Sequence, residues 1–463
     1  MVFSSLLFLT LFLPLTIFLY YILPVRFKNV LLLIASLIFY AWGEPKHIIL
    51  MLITTVYTWF LSLLLERCNI SGKTGAARFL LILCLLFSIG TLFFYKYSGF
   101  LMDTLGYTDF TAPTLPVGIS FYTFQALSYV IDVYRGDVKV QRSWINFAMY
   151  ISLFPQLIAG PIVRYADVEG QIVQRKHSCK SIYLGIRRFT LGLGKKVLLA
   201  NQIGVLWDTI SVMENLSFIG AWLGAIAFAL QIYFDFSAYS DMAIGLGRMF
   251  GFTFTENFRY PYQSQSITEF WRRWHITLGT WFREYVYIPL GGNRKGKMRL
   301  VLNLLIVWSL TGLWHGANWQ FLLWGLYYFL FLLLEKFILL NQMVKWPAFC
   351  RHLYTIVIVV FGWVIFACDD LTVTGHFFKA MLGIGVPLID NTALFQLSNF
   401  ALLFPILFVG STELPRRITC HLRNHINPSR FEKLSYVTCI ATTWVCIAFM
   451  VADTYNPFLY FRF

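Results

Sequence analysis

The chain has 463 residues, of which 58% are hydrophobic, 19% aromatic and only 13% charged, with a net charge of +15. Soluble domains are nearer half apolar and a quarter charged, so composition excludes a soluble enzyme and indicates an integral membrane protein, of mean hydropathy +0.66. The excess Lys and Arg falls in short loops, where it marks a cytoplasmic face and attracts anionic lipid headgroups; nucleic acid is not an expected partner.

Apolar runs lie at roughly 5–23, 29–42, 47–65, 78–95, 116–131, 145–162, 217–236, 300–313, 317–340, 353–367, 396–410 and 436–452. At about 20 apolar residues per span they predict about 10–12 crossings plus re-entrant pieces. No polar stretch could bury a core of its own, so residues 1–463 read as one membrane domain with a motif core at about 116–340. The first run, "MVFSSLLFLTLFLPLTIFLYYILP", lacks a basic n-region and a small-residue cleavage site and reads as a retained span. Runs 116–131 and 145–162 carry Pro and Gly. Broken segments of that kind are tolerated only where protein or a water-filled cavity satisfies the freed backbone. The first of them sets Ser120, Gln125, Ser128 and Asp132 in an apolar frame, as a cavity wall would.

Residues 164–196 carry eight Lys/Arg against two acids, 291–299 four against none, and 411–433 five against two. All three read as cytoplasmic, whereas the acid-balanced 96–115 and 368–395 read as exterior. Both termini then face the exterior. The eight cysteines form no CxxC pair, and neither disulfides nor a metal site is expected.

In "QIYFDFSAYSDMAIGLGRMFGF" (231–252), Gln231, Asp235 and Tyr239 share a helix face and Asp241 follows. A carboxylate here needs a cation, with Arg248, Arg272 or Arg273 as candidates. Structural ion pairing is preferred to catalysis, because buried pairs are the commoner arrangement.

Residues 257–294, "NFRYPYQSQSITEFWRRWHITLGTWFREYVYIPLGGNR", predict one amphipathic helix, capped at Thr268 and stopped by Pro289. Its apolar stripe is Trp271, Trp274, Leu278, Trp281, Phe282 and Tyr285; Arg272, Arg273, Thr280, Arg283 and Glu284 lie opposite. His275 falls at the stripe's edge. An interfacial helix with an aromatic belt describes this pattern, but leaves unexplained a histidine beside arginines, a setting suited to phosphates.

"SLTGLWHGANWQF" (309–321) places His315 among Leu, Trp and Gly at membrane depth. Gly312 and Gly316 permit close helix approach. Trp314, Trp319 and Trp324 supply bulk, and Asn318 could orient the ring. An ionisable group at this depth is a functional hypothesis by default, and burial keeps an imidazole neutral, which suits a general base. A structural histidine bonded to a carbonyl is the competing reading. Other signals fail: His421 and His425 have no third ligand, "LGLGKK" lacks the pattern of a phosphate loop, and neither HExxH nor GxSxG occurs.

At these residues the chain resembles the membrane-bound O-acyltransferase superfamily, in the branch of bacterial alginate, peptidoglycan and cellulose O-acetylation proteins. The resemblance rests on "PVGISFYTFQALSYVIDVYRG", "FPQLIAGPIVRY" (154–165), "YFDFSAYSDMAIGLGRMFGF", "NFRYPYQSQSITEFWRRWHITLGTWFREYVYIPLGGNR", "LTGLWHGANW" and the terminal "PFLYFRF". The family's two motif histidines fall on His275 and His315, with His315 taken as catalytic. The resemblance implies an all-α polytopic fold, a ring of tilted helices with re-entrant pieces around a central tunnel. Trp271, Arg272, Arg273, Trp314, Asn318, Asp235, Asn257 and Tyr260 are then expected to bind the donor or line the tunnel. Arg259 stands where relatives often carry a smaller polar residue. The donor implied is acetyl-CoA or another acyl thioester, with no bound cofactor and no metal.

The expected activity is transfer of an acetyl group across a bacterial inner membrane to an extracytoplasmic polysaccharide or peptidoglycan, through a separate acetyltransferase partner. That partner would dock near 368–395 or the C-terminal "FLYFRF". D-alanyl transfer to teichoic acid from a carrier protein is the related alternative. A transporter or lipid flippase is the alternative from another class, against which the absence of visible repeats weighs.

Overall fold

A computed structural model describes residues 1–107, 109–158, 160–368, 370–452, 458 and 459. The described chain is helical, without strands. Among the described residues, eight helices are long and apolar enough to cross a membrane: Val25–Gly43, Ile48–Ile70, Thr74–Lys96, Phe218–Met249, Lys297–His315, Trp319–Met343, Ala348–Ala367 and Pro428–Ala452. Counting as one crossing the pair Asn391–Asn399 and Leu403–Gly410, bent by 66°, gives nine. The count falls below 10–12 chiefly because the two Pro/Gly-bearing runs form shorter helices. Ile119–Arg135 has 17 residues and Trp144–Ser152 has 9, against about 20 for a full crossing.

Contacts divide the chain into two compact units, Met1–Phe189 with Ser240–Glu256 and Thr190–Tyr239 with Asn257–Phe463. In the first, Ile48–Ile70 packs on Thr74–Lys96 and on Ile119–Arg135, and Val25–Gly43 packs on Trp144–Ser152. Ile119–Arg135 is bounded by Gly118 and Gly136, both left-handed (φ 76° and 80°), a conformation that glycine adopts without penalty. The broken run after Trp144 meets the requirement for protein partners. Phe154 N–H donates to Ser36 Oγ at 3.1 Å, Gln156 Nε2 to the Tyr150 carbonyl at 2.7 Å, and Tyr150 Oη to the Val163 carbonyl at 2.9 Å.

In the second unit, Lys297–His315 and Trp319–Leu334 form a tight hairpin on which Ala348–Ala367 packs. A methyl group at Gly312 would collide with the Phe321 carbonyl, and one at Gly325 with the Trp308 carbonyl. The close approach expected at Gly312 is therefore present, and Gly325 is its counterpart. Pro428–Ala452 is only 11% buried, so most of its apolar surface is left for lipid, whereas Phe218–Met249 is 78% buried. Inside the Trp319–Met343 span, Glu335 is fully buried. Its carboxylate accepts from Ile267 N–H (2.5 Å), Thr268 N–H (2.8 Å) and Thr268 Oγ1 (2.6 Å). A negative charge at a helix N-terminus is favourable, and this one anchors the short helix Ile267–Arg273.

Candidate active site

The single helix expected from Thr268 to Pro289 is broken. It forms Ile267–Arg273, then Ile276–Phe282, then a π-helical turn at Arg283–Tyr287. Its cap is Ser266, whose Oγ accepts from Glu269 N–H at 3.0 Å, and Thr268 serves the Glu335 anchor instead. The break lies at Trp274 and His275. His275 has φ 43° and ψ 52°, and with Tyr260 (φ 49°) it is one of two non-glycine residues in the left-handed region among the described residues. Left-handed backbone costs an L-residue about 1–2 kcal/mol, so it persists where the surroundings over-determine it.

Asn257 provides that determination. Its carbonyl accepts from Ile276 N–H at 3.0 Å. Its Oδ1 accepts from Thr277 N–H (3.2 Å) and Thr277 Oγ1 (2.9 Å), and lies 3.2 Å from His275 Nδ1. A peptide N–H can only donate, so the atom facing Thr277 is the amide oxygen and His275 Nδ1 carries the hydrogen. Nε2 then bears the lone pair. It is buried and has no hydrogen-bond partner among the described residues. Burial pushes this imidazole down to about 3, so it stays neutral through the physiological range. Its ring stands edge-on to Phe236 (4.7 Å between centroids) and packs on Trp314 at 5.7 Å. His275 is therefore not at an interfacial edge; it is enclosed.

His315 ends the Lys297–His315 helix and is also buried. Three rings meet it edge to face: Trp314 at 5.0 Å, Trp324 at 5.1 Å and Phe366 at 5.2 Å. Trp314 thus touches both imidazoles. Trp271 packs on Trp324 at 5.5 Å and on Trp308 at 4.8 Å, behind the His315 wall. Two expected neighbours are absent. Trp319 is 50% exposed, and Asn318 is exposed at the start of Trp319–Leu334 with no hydrogen bond to His315. The chain turns extended at Gly316 and Asn318, which carries both side chains outward. Phe366, from a different helix, takes the expected place of Trp319.

The arginines do not gather around His275. Arg272 is exposed, and Arg273 pairs with Glu269 at 2.6 Å and donates to the Arg259 carbonyl at 3.4 Å. Ile267–Arg273 buries Ile267 and Phe270 and leaves its two arginines toward solvent, and the break that follows turns His275 inward. Asp235 is ion-paired, as expected, but with Lys196 at 2.5 Å rather than Arg248, Arg272 or Arg273. Its other oxygen accepts from Leu459 N–H at 2.8 Å. Phe458 packs on Tyr239 at 4.9 Å and under the Lys196 ammonium, so the part of "FLYFRF" that is described is buried within this unit. Residues 460–463 lie outside the described set. Asp241 pairs with Arg188, which also holds Glu256, each at 2.6 Å. Glu335, Lys196 and Phe366 escaped the sequence reading. Glu335 alone carried a signal, as a lone acid in an apolar run.

Residues 34–378 match the membrane-bound O-acyltransferase family. A probable alginate O-acetylase of Pseudomonas putida is 38% identical over the full length of both chains. The chain belongs to the membrane-bound O-acyltransferase family. A peptidoglycan O-acetyltransferase of Helicobacter pylori is 31% identical, covering 100% of this chain and 98% of its own. A teichoic acid D-alanyltransferase of Bacillus subtilis matches 54% of this chain and 68% of its own length at 26% identity. The protein is thus a multi-pass membrane acyltransferase. Within the second unit, His275 and His315 are both buried and both pack on Trp314.

Proposed function

We propose that this acyltransferase moves acetyl groups from a cytoplasmic thioester, acetyl-CoA or a similar donor, to an acceptor outside a bacterial inner membrane. His315 takes the proton of an acceptor hydroxyl as its oxygen attacks the thioester carbonyl. The C–O bond forms, the C–S bond breaks, and the thiolate leaves as the thiol by taking the proton that His315 received. His275, neutral and held as the Nδ1–H tautomer, offers a second lone pair to the acceptor or to the proton in transit. The final acceptor is a polysaccharide or peptidoglycan hydroxyl, reached through a separate extracytoplasmic acetyltransferase. The charge pattern of the loops supports exterior termini.

The observation that carries this reading is the His315 imidazole, buried behind Trp314, Trp324 and Phe366. Water would hydrolyse a thioester, and an aromatic enclosure excludes it. The test is transfer of labelled acetate in proteoliposomes. His315→Ala should lower ester formation by about 10²–10⁴-fold, the usual worth of a general base, with the thermal unfolding of the protein retained. Full transfer by a folded His315→Ala protein would falsify the assignment. D-alanyl transfer is favoured instead if alanine from a carrier protein is incorporated and acetate is not.

A further inference from the structure

Among the described residues, Lys28 and Lys196 are each buried against aromatic rings, and they differ in how their charge is met. Lys196 holds Asp235. Lys28, in the first unit near the start of Val25–Gly43, meets rings instead: its ammonium lies 4.7 Å from the Tyr20 ring centroid and 5.3 Å from that of Tyr21. Arg175 shares the Tyr20 ring at 5.9 Å and lies over Phe252 at 4.5 Å. Its guanidinium donates to neutral oxygens throughout: Tyr20 Oη (3.1 Å), the Gln171 carbonyl (3.2 Å) and Asn29 Oδ1 (2.6 Å).

His177 completes the group. Tyr20 Oη donates its one hydrogen to the Phe250 carbonyl at 2.7 Å, so the 2.9 Å contact with His177 Nε2 is a donation from the imidazole. Burial, then the charges of Lys28 and Arg175, lower the pKa of His177, and no carboxylate opposes them. Arg26, Lys176 and Lys180, all exposed, flank these residues in sequence. A half-buried cationic cluster with no counter-charge among the described residues is costly unless an anion completes it.

We propose that Lys28 and Arg175, with the His177 imidazole beside them, form a binding site for a phosphate group. A planar guanidinium beside a point-charge ammonium suits a tetrahedral oxyanion, and the Tyr20 hydroxyl holds Arg175 and His177 in register. Two sources carry that chemistry: the phosphates of a coenzyme-type thioester donor, and the headgroup of an anionic lipid. The cluster belongs to the basic side assigned above to the cytoplasm, where both are found. The proposal concerns binding alone and stands whether or not His315 performs the transfer.

The test uses the full-length protein in nanodiscs, with two arms. In the first, coenzyme A is titrated onto protein in neutral phosphatidylcholine discs by calorimetry. In the second, phosphatidylglycerol retained after extraction is counted by native mass spectrometry. Lys28→Gln should weaken one arm by about tenfold or more, the scale of a lost hydrogen bond to a charged group, and Lys28→Arg should restore it. A weakened coenzyme A arm names the donor, and a weakened phosphatidylglycerol arm names the lipid. Arg175→Gln should act on the same arm; where it fails to fold, Lys28→Gln decides, since no hydrogen bond of the fold depends on that ammonium. The proposal is overturned if folded Lys28→Gln behaves as wild type in both arms, if Lys28→Arg fails to rescue, or if wild type binds neither probe.

Discussion

His275 and His315 pack against the same indole, Trp314, yet the protein holds them by different physics. His275 is fixed by hydrogen bonds and by a left-handed backbone that Asn257 stabilises. His315 is fixed by the edges and faces of Trp314, Trp324 and Phe366 at the end of a regular helix. Hydrogen bonds select a tautomer, whereas rings select an orientation and keep water out. The proposed transfer, which moves a proton beside a water-sensitive thioester, would use both.

The contrast predicts that polar truncation costs most at His275. Asn257→Leu strips the acceptor from His275 Nδ1–H and Thr277 N–H, two buried donors worth about 1–3 kcal/mol each when unsatisfied. It should destabilise the protein by about 3 kcal/mol, measured by chemical denaturation in detergent. An unchanged midpoint would remove Asn257 from the role assigned to it.

A smaller effect separates backbone from ring at position 275. Asn tolerates the left-handed region and a β-branched residue does not, so His275→Val should unfold at lower denaturant than His275→Asn, by about 1–2 kcal/mol. Equal stabilities would mean that the helix break relaxes once the imidazole is gone.

A comparable effect is on pH. The folded pKa of His275 lies near 3, below its ordinary 6.5. Below 6.5 the unfolded chain binds a proton that the folded chain refuses, so this residue's contribution to stability is complete above 6.5 and is lost as pH falls toward 3. Wild type should therefore lose more melting temperature than His275→Asn between pH 7.5 and pH 5, pH values set by the linkage window. Parallel pH profiles would place the ring in contact with water.

Much of the fold was legible because membrane spans are written in local composition. The runs 29–42, 47–65, 78–95, 317–340, 353–367 and 436–452 all became long helices. The Gly312 contact and the burial of His315 were legible as well, one from small-residue spacing and the other from a lone ionisable group at depth. The break at His275 was not. Trp271, Trp274, Leu278 and Trp281 keep helical periodicity straight through it, and the group that stabilises the break is 18 residues away in sequence. Nor could local pattern name Lys196 as the partner of Asp235, 39 residues distant, or Glu335 as the cap of a helix 67 and 68 residues earlier.

The sequence by itself determined that this chain lives in a membrane, where most of its spans run, and that the bilayer would make His315 costly. Each of those follows from transfer free energy, which is summed residue by residue along the chain. The tertiary structure alone decided which way His275 and His315 face, which tautomer His275 holds, and which lysine pairs with Asp235. Each of these depends on a partner brought from a distant helix, and local composition carries no record of such a partner.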